Sequence, residues 1–177
     1  MRFYVETKIV DEQGLELEAN TPGELLLRGP MVTPGYWKQE EATAKAIKEG
    51  WFHTGDRVRM DKEGYLYVED RIKNMFISGG ENVYPAEVER VMLQCPAVSE
   101  VVVVGVPDEK WGEVGYALVV PEKNETFSAE HVQEFCRKHL ARFKVPKYVV
   151  AIDALPKNDT GKLDRKALKK NLLKKAE

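Results

Sequence analysis

The sequence predicts an α+β protein in two parts: a small β-rich unit, then a unit in which a short sheet is flanked by helices. Three observations carry that prediction. Roughly the first 70 residues alternate short apolar-polar runs with turn residues. Two later runs, Val101 to Val104 and Ala117 to Val120, are apolar on both faces, as sheet strands covered from both sides are. Beside them lie segments whose apolar residues recur at helical spacing.

The first half contributes strands at Gly23 to Arg28, Arg57 to Met60 and Tyr65 to Glu69, where Tyr65, Tyr67 and Glu69 alternate with Leu66 and Val68. Asp61-Lys62-Glu63-Gly64 reads as the hairpin turn between the last two, with Gly64 supplying the positive φ. One helix is expected over Gln39 to Glu49, rich in Ala, Glu and Lys and stopped by Gly50. The second half opens with a strand over Met75 to Ser78. A helix follows, started by Pro85 with Glu87 in its first turn and striped by Val88, Val91, Met92 and Cys95. The two apolar runs should be central strands. Ser128 to Leu140 is a helix with Val132, Phe135, Cys136 and Leu140 on one face. Lys147 to Ile152 is a strand, and Asp164 to Lys175 a basic terminal helix. No repeat or low-complexity linker occurs, so the join between halves is short, near Asp70 to Asn74.

Composition narrows the function. The 177 residues are 43% hydrophobic and 32% charged, the balance of a globular chain. With 27 Lys plus Arg against 29 Asp plus Glu, no global field draws in nucleic acid. Cys95 and Cys136 lack a second Cys or His at metal-ligand spacing and read as reduced core thiols. No run approaches the ~20 apolar residues of a membrane span, and MRFYVETKIV has no signal-peptide pattern. A cytoplasmic protein without a membrane span is expected.

Three stretches carry chemistry. Gly50-Trp51-Phe52-His53-Thr54-Gly55-Asp56 puts a carboxylate on a sharp bend, where it either caps the turn or accepts hydrogen bonds from the vicinal hydroxyls of a ribose. In Asp70 to Pro85, Gly79-Gly80 either turns a hairpin or lets the backbone approach a ligand. Leu155 to Arg165 is a polar loop before a helix, in which Lys162 can reach an anion or merely precede a helix cap. It is not a phosphate-binding Walker loop, because the residue five before Gly161 is Pro156.

Taken in order, these stretches resemble the adenylate-forming superfamily of acyl-CoA synthetases, peptide-synthetase adenylation domains and beetle luciferases. The resemblance begins near Gly23-Glu24-Leu25 and Gly29-Pro30. It passes through Gly35-Tyr36-Trp37, GWFHTGD at 50 to 56, Gly105 to Asp108 with Trp111-Gly112-Glu113, and Phe143 to Pro146, and reaches Gly161-Lys162, covering almost the whole chain. It implies an ATP-dependent carboxylic acid:CoA ligase that makes acyl-AMP and then acyl-CoA. Residues 1 to 72 would be the last β subdomain of a large N-terminal AMP-binding domain, and 73 to 177 the mobile C-terminal domain.

By the same resemblance Asp56 holds the ribose of ATP or AMP, Arg71 assists at the ribose or phosphate, Lys73 is the hinge, and Lys162 is the adenylation lysine. Gly79 and Gly80 line the pantetheine tunnel, and Trp111, Phe143 and Lys147 contact CoA. At Val145 and Asn82 some relatives carry a basic residue and this chain does not. Nothing matches the family's phosphate loop or its magnesium-holding Glu segment, so the ATP phosphates, Mg2+ and the acid pocket are expected from upstream residues. The rival readings are an amino-acid adenylation domain of a peptide synthetase, a luciferase-like oxidation, and a binding module that kept the fold without turnover.

Overall fold

The structure is a computed structural model that describes residues 4–157 and 161–174. The chain divides into two compact units, Met1–Lys73 and Asn74–Glu177, each with its own five-stranded sheet. The architecture is α+β.

In the first unit β1 (Glu6–Val10), β2 (Gly23–Arg28) and β4 (Trp51–Met60) lie side by side and antiparallel. The far edge of β4 is shared by β3 (Ile47–Lys48) and β5 (Leu66–Arg71). A small core of Ile9, Leu25 and Val58 holds the sheet, with Leu17, Leu27 and Met60 around it. The expected turn after β4 is present: the Asp61 carboxylate accepts from the backbone N–H groups of Glu63 and Tyr65, and Gly64 takes φ +88°. The alternation along β5 is also present, yet neither face is covered, since Leu66 and Val68 are exposed along with Tyr65 and Tyr67.

Two expectations are corrected here. The helix predicted over Gln39 to Glu49 is the shorter α1 (Glu40–Ala46), because Ile47 and Lys48 pair instead with Phe52 and Trp51 across a turn at Glu49 (φ +51°) and Gly50 (φ +78°). After Gly50 the GWFHTGD stretch is not a loop but the first part of the ten-residue β4, whose bulges absorb Gly55 at φ +68°. Strands β1 and β3 were not foreseen.

The second unit begins with the hairpin β6 (Phe76–Ser78) and β7 (Glu81–Val83), turned by Gly79 and Gly80 at φ +61° and +88°. Then come α2 (Pro85–Met92), β8 (Val98–Asp108), β9 (Gly112–Pro121), α3 (Ala129–His139), β10 (Tyr148–Ala151) and α4 (Arg165–Lys174). Strand β9 is the centre of the sheet: β8 pairs antiparallel along one edge, while β10, parallel, and the end of β6 share the other. β8 was expected to be central, but among the described residues it pairs only with β9.

Its continuous apolar run nevertheless has the predicted cause. Val101 and Val103 face the core under α2 and α3, with Val88, Met92, Cys95, Val132 and Cys136. Val102 faces the other way, packing with Leu155 and Leu168 of α4, and Val104 lies with Leu172. Both faces are therefore covered, at about 1.5–3 kcal/mol for each fully buried Val. Both cysteines are free and buried, and burial pushes the Cys136 thiol up to about 11, with Cys95 adding to the effect.

Candidate functional site

In the first unit β4 and β5 bring two of the expected residues face to face. Asp56 and Arg71 are register partners, and Arg71 Nε lies 2.7 Å from Asp56 Oδ1. Arg71 Nη1 also donates to the Thr54 carbonyl at 3.0 Å. The bulged backbone that aims Asp56 is held from β2. Glu24 accepts from the Gly55 N–H at 3.1 Å and lies 2.8 Å from His53 Nδ1, while the Thr54 hydroxyl donates to the Leu25 carbonyl. Glu24 was not singled out as a site residue; its signal was its place in the Gly23-Glu24-Leu25 stretch. With Arg71 on Oδ1, the Asp56 carboxylate keeps acceptor capacity for hydroxyl donors at a partly open position.

In the second unit the Gly79-Gly80 turn, Trp111 and Lys147 form one corner. The Gly79 N–H donates to the Trp111 carbonyl at 2.9 Å, and Ser78 bridges to Gly112. The Trp111 ring lies over Gly79 so closely that an added Cβ would stand 2.9 Å from the ring. Over Gly80 the space is open: among the described residues, and its chain neighbours aside, no heavy atom comes within 4 Å of where a Cβ would stand.

Asp108 organises this corner and was missed as an individual site residue, although its Gly105 to Asp108 segment had been noticed. Its carboxylate accepts from the N–H groups of Lys110 and Trp111 at 3.0 Å each and pairs with Lys147 Nζ at 2.6 Å. The Lys147 bond, against burial and with help from the two N–H groups, holds the Asp108 carboxyl below the usual range. Asp108 in turn raises the Lys147 ammonium. Phe143 lies in the one-turn helix Arg142–Lys144, which packs against β7 and is tied to α2 by Lys144 and Glu87 at 2.6 Å.

Lys162 stands on a separate loop and is exposed. Asn158, Asp159 and Thr160 lie outside the described residues, but both ends of the loop are pinned. Lys157 and Leu163 form an antiparallel bridge at its base, and Asp164 caps α4 by accepting from the Ala167 N–H at 2.9 Å. Arg165 then makes a two-pronged pair with Glu89 of α2 at 2.6 and 2.8 Å and donates to the Val103 carbonyl at 2.9 Å. Glu89 also accepts from the Val103 N–H at 2.7 Å. Glu89 and Arg165 are further contributors that charge pattern alone did not reveal, since they lie 76 positions apart. Lys73 lies in the one-turn helix Ile72–Asn74, exposed, at the end of the first unit.

Residues 87–162 match the AMP-binding enzyme C-terminal domain. The long-chain-fatty-acid CoA ligase FadD13 of Mycobacterium tuberculosis is 50% identical over 147 residues, 83% of this chain and 29% of that protein. The crystal structure of ATP-bound MatB from Rhodopseudomonas palustris superposes with a TM-score of 0.89 at 37% identity, over 94% of this chain and 34% of that one. The o-succinylbenzoate CoA synthetase MenE of Bacillus subtilis, in complex with its acyl-adenylate OSB-AMP, gives 0.85 at 42% identity, again over 94% and 34%. The chain thus spans about a third of the length of the relatives it matches. Its matched segment and these relatives place it together: the chain belongs to the AMP-binding, adenylate-forming enzyme family.

Proposed function

We propose that this chain is the C-terminal part of an AMP-forming acyl-CoA synthetase, residues 1–72 closing an AMP-binding domain and 73–177 forming the mobile domain. The observation that carries the reading is the separation of two kinds of equipment within the second unit: a pinned lysine loop, and an Asp108-organised corner of glycines, tryptophan and lysine. A two-step ligase needs both. In the first step an oxygen of the carboxylate attacks the α-phosphorus of ATP, pyrophosphate leaves, and acyl-AMP forms. In the second the CoA thiol attacks the acyl carbon, gives up its proton, and AMP leaves.

Lys162 serves the first step by meeting the negative charge that grows on the α-phosphate. Asp56 accepts the ribose hydroxyls, with Arg71 orienting that carboxylate. The second step uses the other equipment: pantetheine passes the side-chain-free Gly79-Gly80 turn beside Trp111, with Phe143 and Lys147 contacting CoA. A rotation at Lys73 exchanges the two, withdrawing Lys162 once acyl-AMP exists. Among the described residues no group of three or more His, Cys, Asp and Glu is placed to hold a metal.

The test is ATP-pyrophosphate exchange and acyl-CoA formation by the longer protein against a panel of fatty and aromatic acids. Acid-dependent exchange followed by CoA consumption is expected. Exchange with amino acids alone, with no CoA thioester from any acid, would replace this reading by a peptide-synthetase one.

A further inference from the structure

The junction between the Lys162 loop and α4 carries more than α4 needs to stay in place. Leu168 and Leu172 already seat that helix among apolar residues of β8 and β9, and Lys169 Nζ ties it to Glu113 at 2.7 Å. At its first residue, Arg165 holds Glu89 of α2 with both Nη atoms, at 2.6 and 2.8 Å, and Nη1 also donates to the Val103 carbonyl at 2.9 Å. Glu89 Oε1 accepts from the N–H of that same Val103 at 2.7 Å. In an antiparallel ladder alternate residues turn both backbone groups away from their partner strand, and Val103 turns its pair to the edge of β8 that carries no strand among the described residues. Two charged side chains from two helices thus lock onto one backbone position of the sheet.

Stability does not account for this choice. The Arg165 and Glu89 side chains are 23% and 12% exposed, and apolar residues of similar volume often hold such a place as well as a buried ion pair does. What the fork adds is direction: a guanidinium that bonds a carboxylate through two parallel N–H groups fixes its own orientation, as a flexible ammonium does not. That direction is passed on over a short path. Arg165 stands three positions after Lys162, and both residues between are held, Leu163 by its bridge to Lys157 and Asp164 by capping α4. Lys162 is itself exposed, and the reach of its ammonium starts from that anchored backbone.

We propose that Glu89 and Arg165 are positioning residues for acid activation, holding the backbone from which Lys162 meets the α-phosphate and taking no part in thioester formation. The inference rests on the ligase reading and deepens it. A donor to a developing anion works by being placed beforehand, and a misplacement of about 1 Å can cost roughly 10²-fold in rate. A fork locked to both α2 and β8 supplies that placement, which apolar packing of α4 alone does not.

The test compares variants of the longer protein in the two half-reactions, acid-dependent ATP-pyrophosphate exchange and thioester formation from synthetic acyl-AMP and CoA. Arg165→Lys keeps the positive charge but loses the fork, and should slow exchange by about 10- to 100-fold while thioester formation stays close to wild type. Lys169→Met, which cuts the other ion pair of α4, should leave both rates close to wild type. In a Lys162→Ala background, Arg165→Lys should slow exchange no further, because it acts only through that lysine. Glu89→Gln keeps one acceptor oxygen for the Val103 N–H and should behave as Arg165→Lys does, which keeps the inference testable if Arg165→Lys fails to fold. Unchanged exchange in a folded variant, equal loss of both half-reactions, an equal loss in Lys169→Met, or a further loss in the Lys162→Ala background would overturn the inference and leave the ligase reading intact. A wild-type longer protein with neither acid-dependent exchange nor acyl-CoA formation would remove that reading, and this inference with it.

Discussion

Replacing Gly79 by alanine perturbs the Trp111 corner in a way that Gly80→Ala does not, and the pair makes a controlled experiment. Both glycines have positive φ, +61° and +88°, so alanine at either brings the left-handed backbone penalty of about 1–2 kcal/mol. At Gly80 nothing lies within 4 Å of the new methyl, and the penalty ends there. At Gly79 the methyl would stand 2.9 Å from one ring carbon of Trp111 and 3.3 Å from the next, so the ring must move by roughly 0.5–1 Å to regain ordinary contact. Overpacking of this kind costs about 1–3 kcal/mol, and the lower end applies because Trp111 is 48% exposed and can tilt outward. Gly79→Ala should therefore destabilise the second unit by about 2–3 kcal/mol and Gly80→Ala by about 1–2 kcal/mol. Urea titrations read from amide signals of residues 74–174 measure both, and Trp111 ring shifts report the displacement. Equal losses, with an unmoved ring in Gly79→Ala, would refute the packing argument.

Other expectations follow from the same contacts. Arg165→Met removes the two-pronged bond to Glu89 and leaves that 12% exposed carboxylate with the Val103 N–H, a loss of about 3 kcal/mol measurable by denaturation. The Asp108-Lys147 pair should set a pH window. Asp108 is lowered, so its contribution is complete above its unfolded pKa near 4 and fades as pH falls through the folded value. Lys147 is raised, so its contribution is complete below its unfolded pKa near 10 and fades as pH rises through the folded value; carboxyl and ammonium shifts across the range check both limbs. With its thiol pushed to about 11, Cys136 should react with iodoacetamide at pH 8 at least about 10²-fold more slowly than an ordinary thiol, until urea exposes it. In the longer protein Asp56→Ala should raise the KM for ATP about tenfold, as loss of one charged hydrogen-bond partner does, with the fold retained.

Sequence pattern revealed the elements whose signal is local. Val101 to Val104 announced two-sided burial because both faces are covered by helices, and Ser128 and Pro85 marked helix starts through their own backbone chemistry. It failed where pairing decides. Glu6 to Val10 carries three polar residues in five and becomes a strand because β2 offers a partner, and Ile47 and Lys48 leave a helical run to meet β4. Glycines at 50 and 55 looked like loop residues, yet one turns a hairpin and the other sits in a bulged strand.

The candidate site divides in the same way. Lys162 and the Gly79-Gly80 turn stood out by residue type and motif order. Asp108, Glu24, Glu89 and Arg165 act through partners up to 76 positions distant, or through several bonds at once, which no local spacing encodes.

The central claim is that Lys162 serves acid activation and not thioester formation. Lys162→Ala in the longer protein should slow ATP-pyrophosphate exchange by about 10² to 10³, or ~2.7 to 4 kcal/mol, the effect of removing one donor to a developing anion. Supplied with synthetic acyl-AMP and CoA, the same variant should form thioester at a rate close to wild type. A normally folded variant in which both half-reactions fall together, or in which exchange is unchanged, would contradict the account.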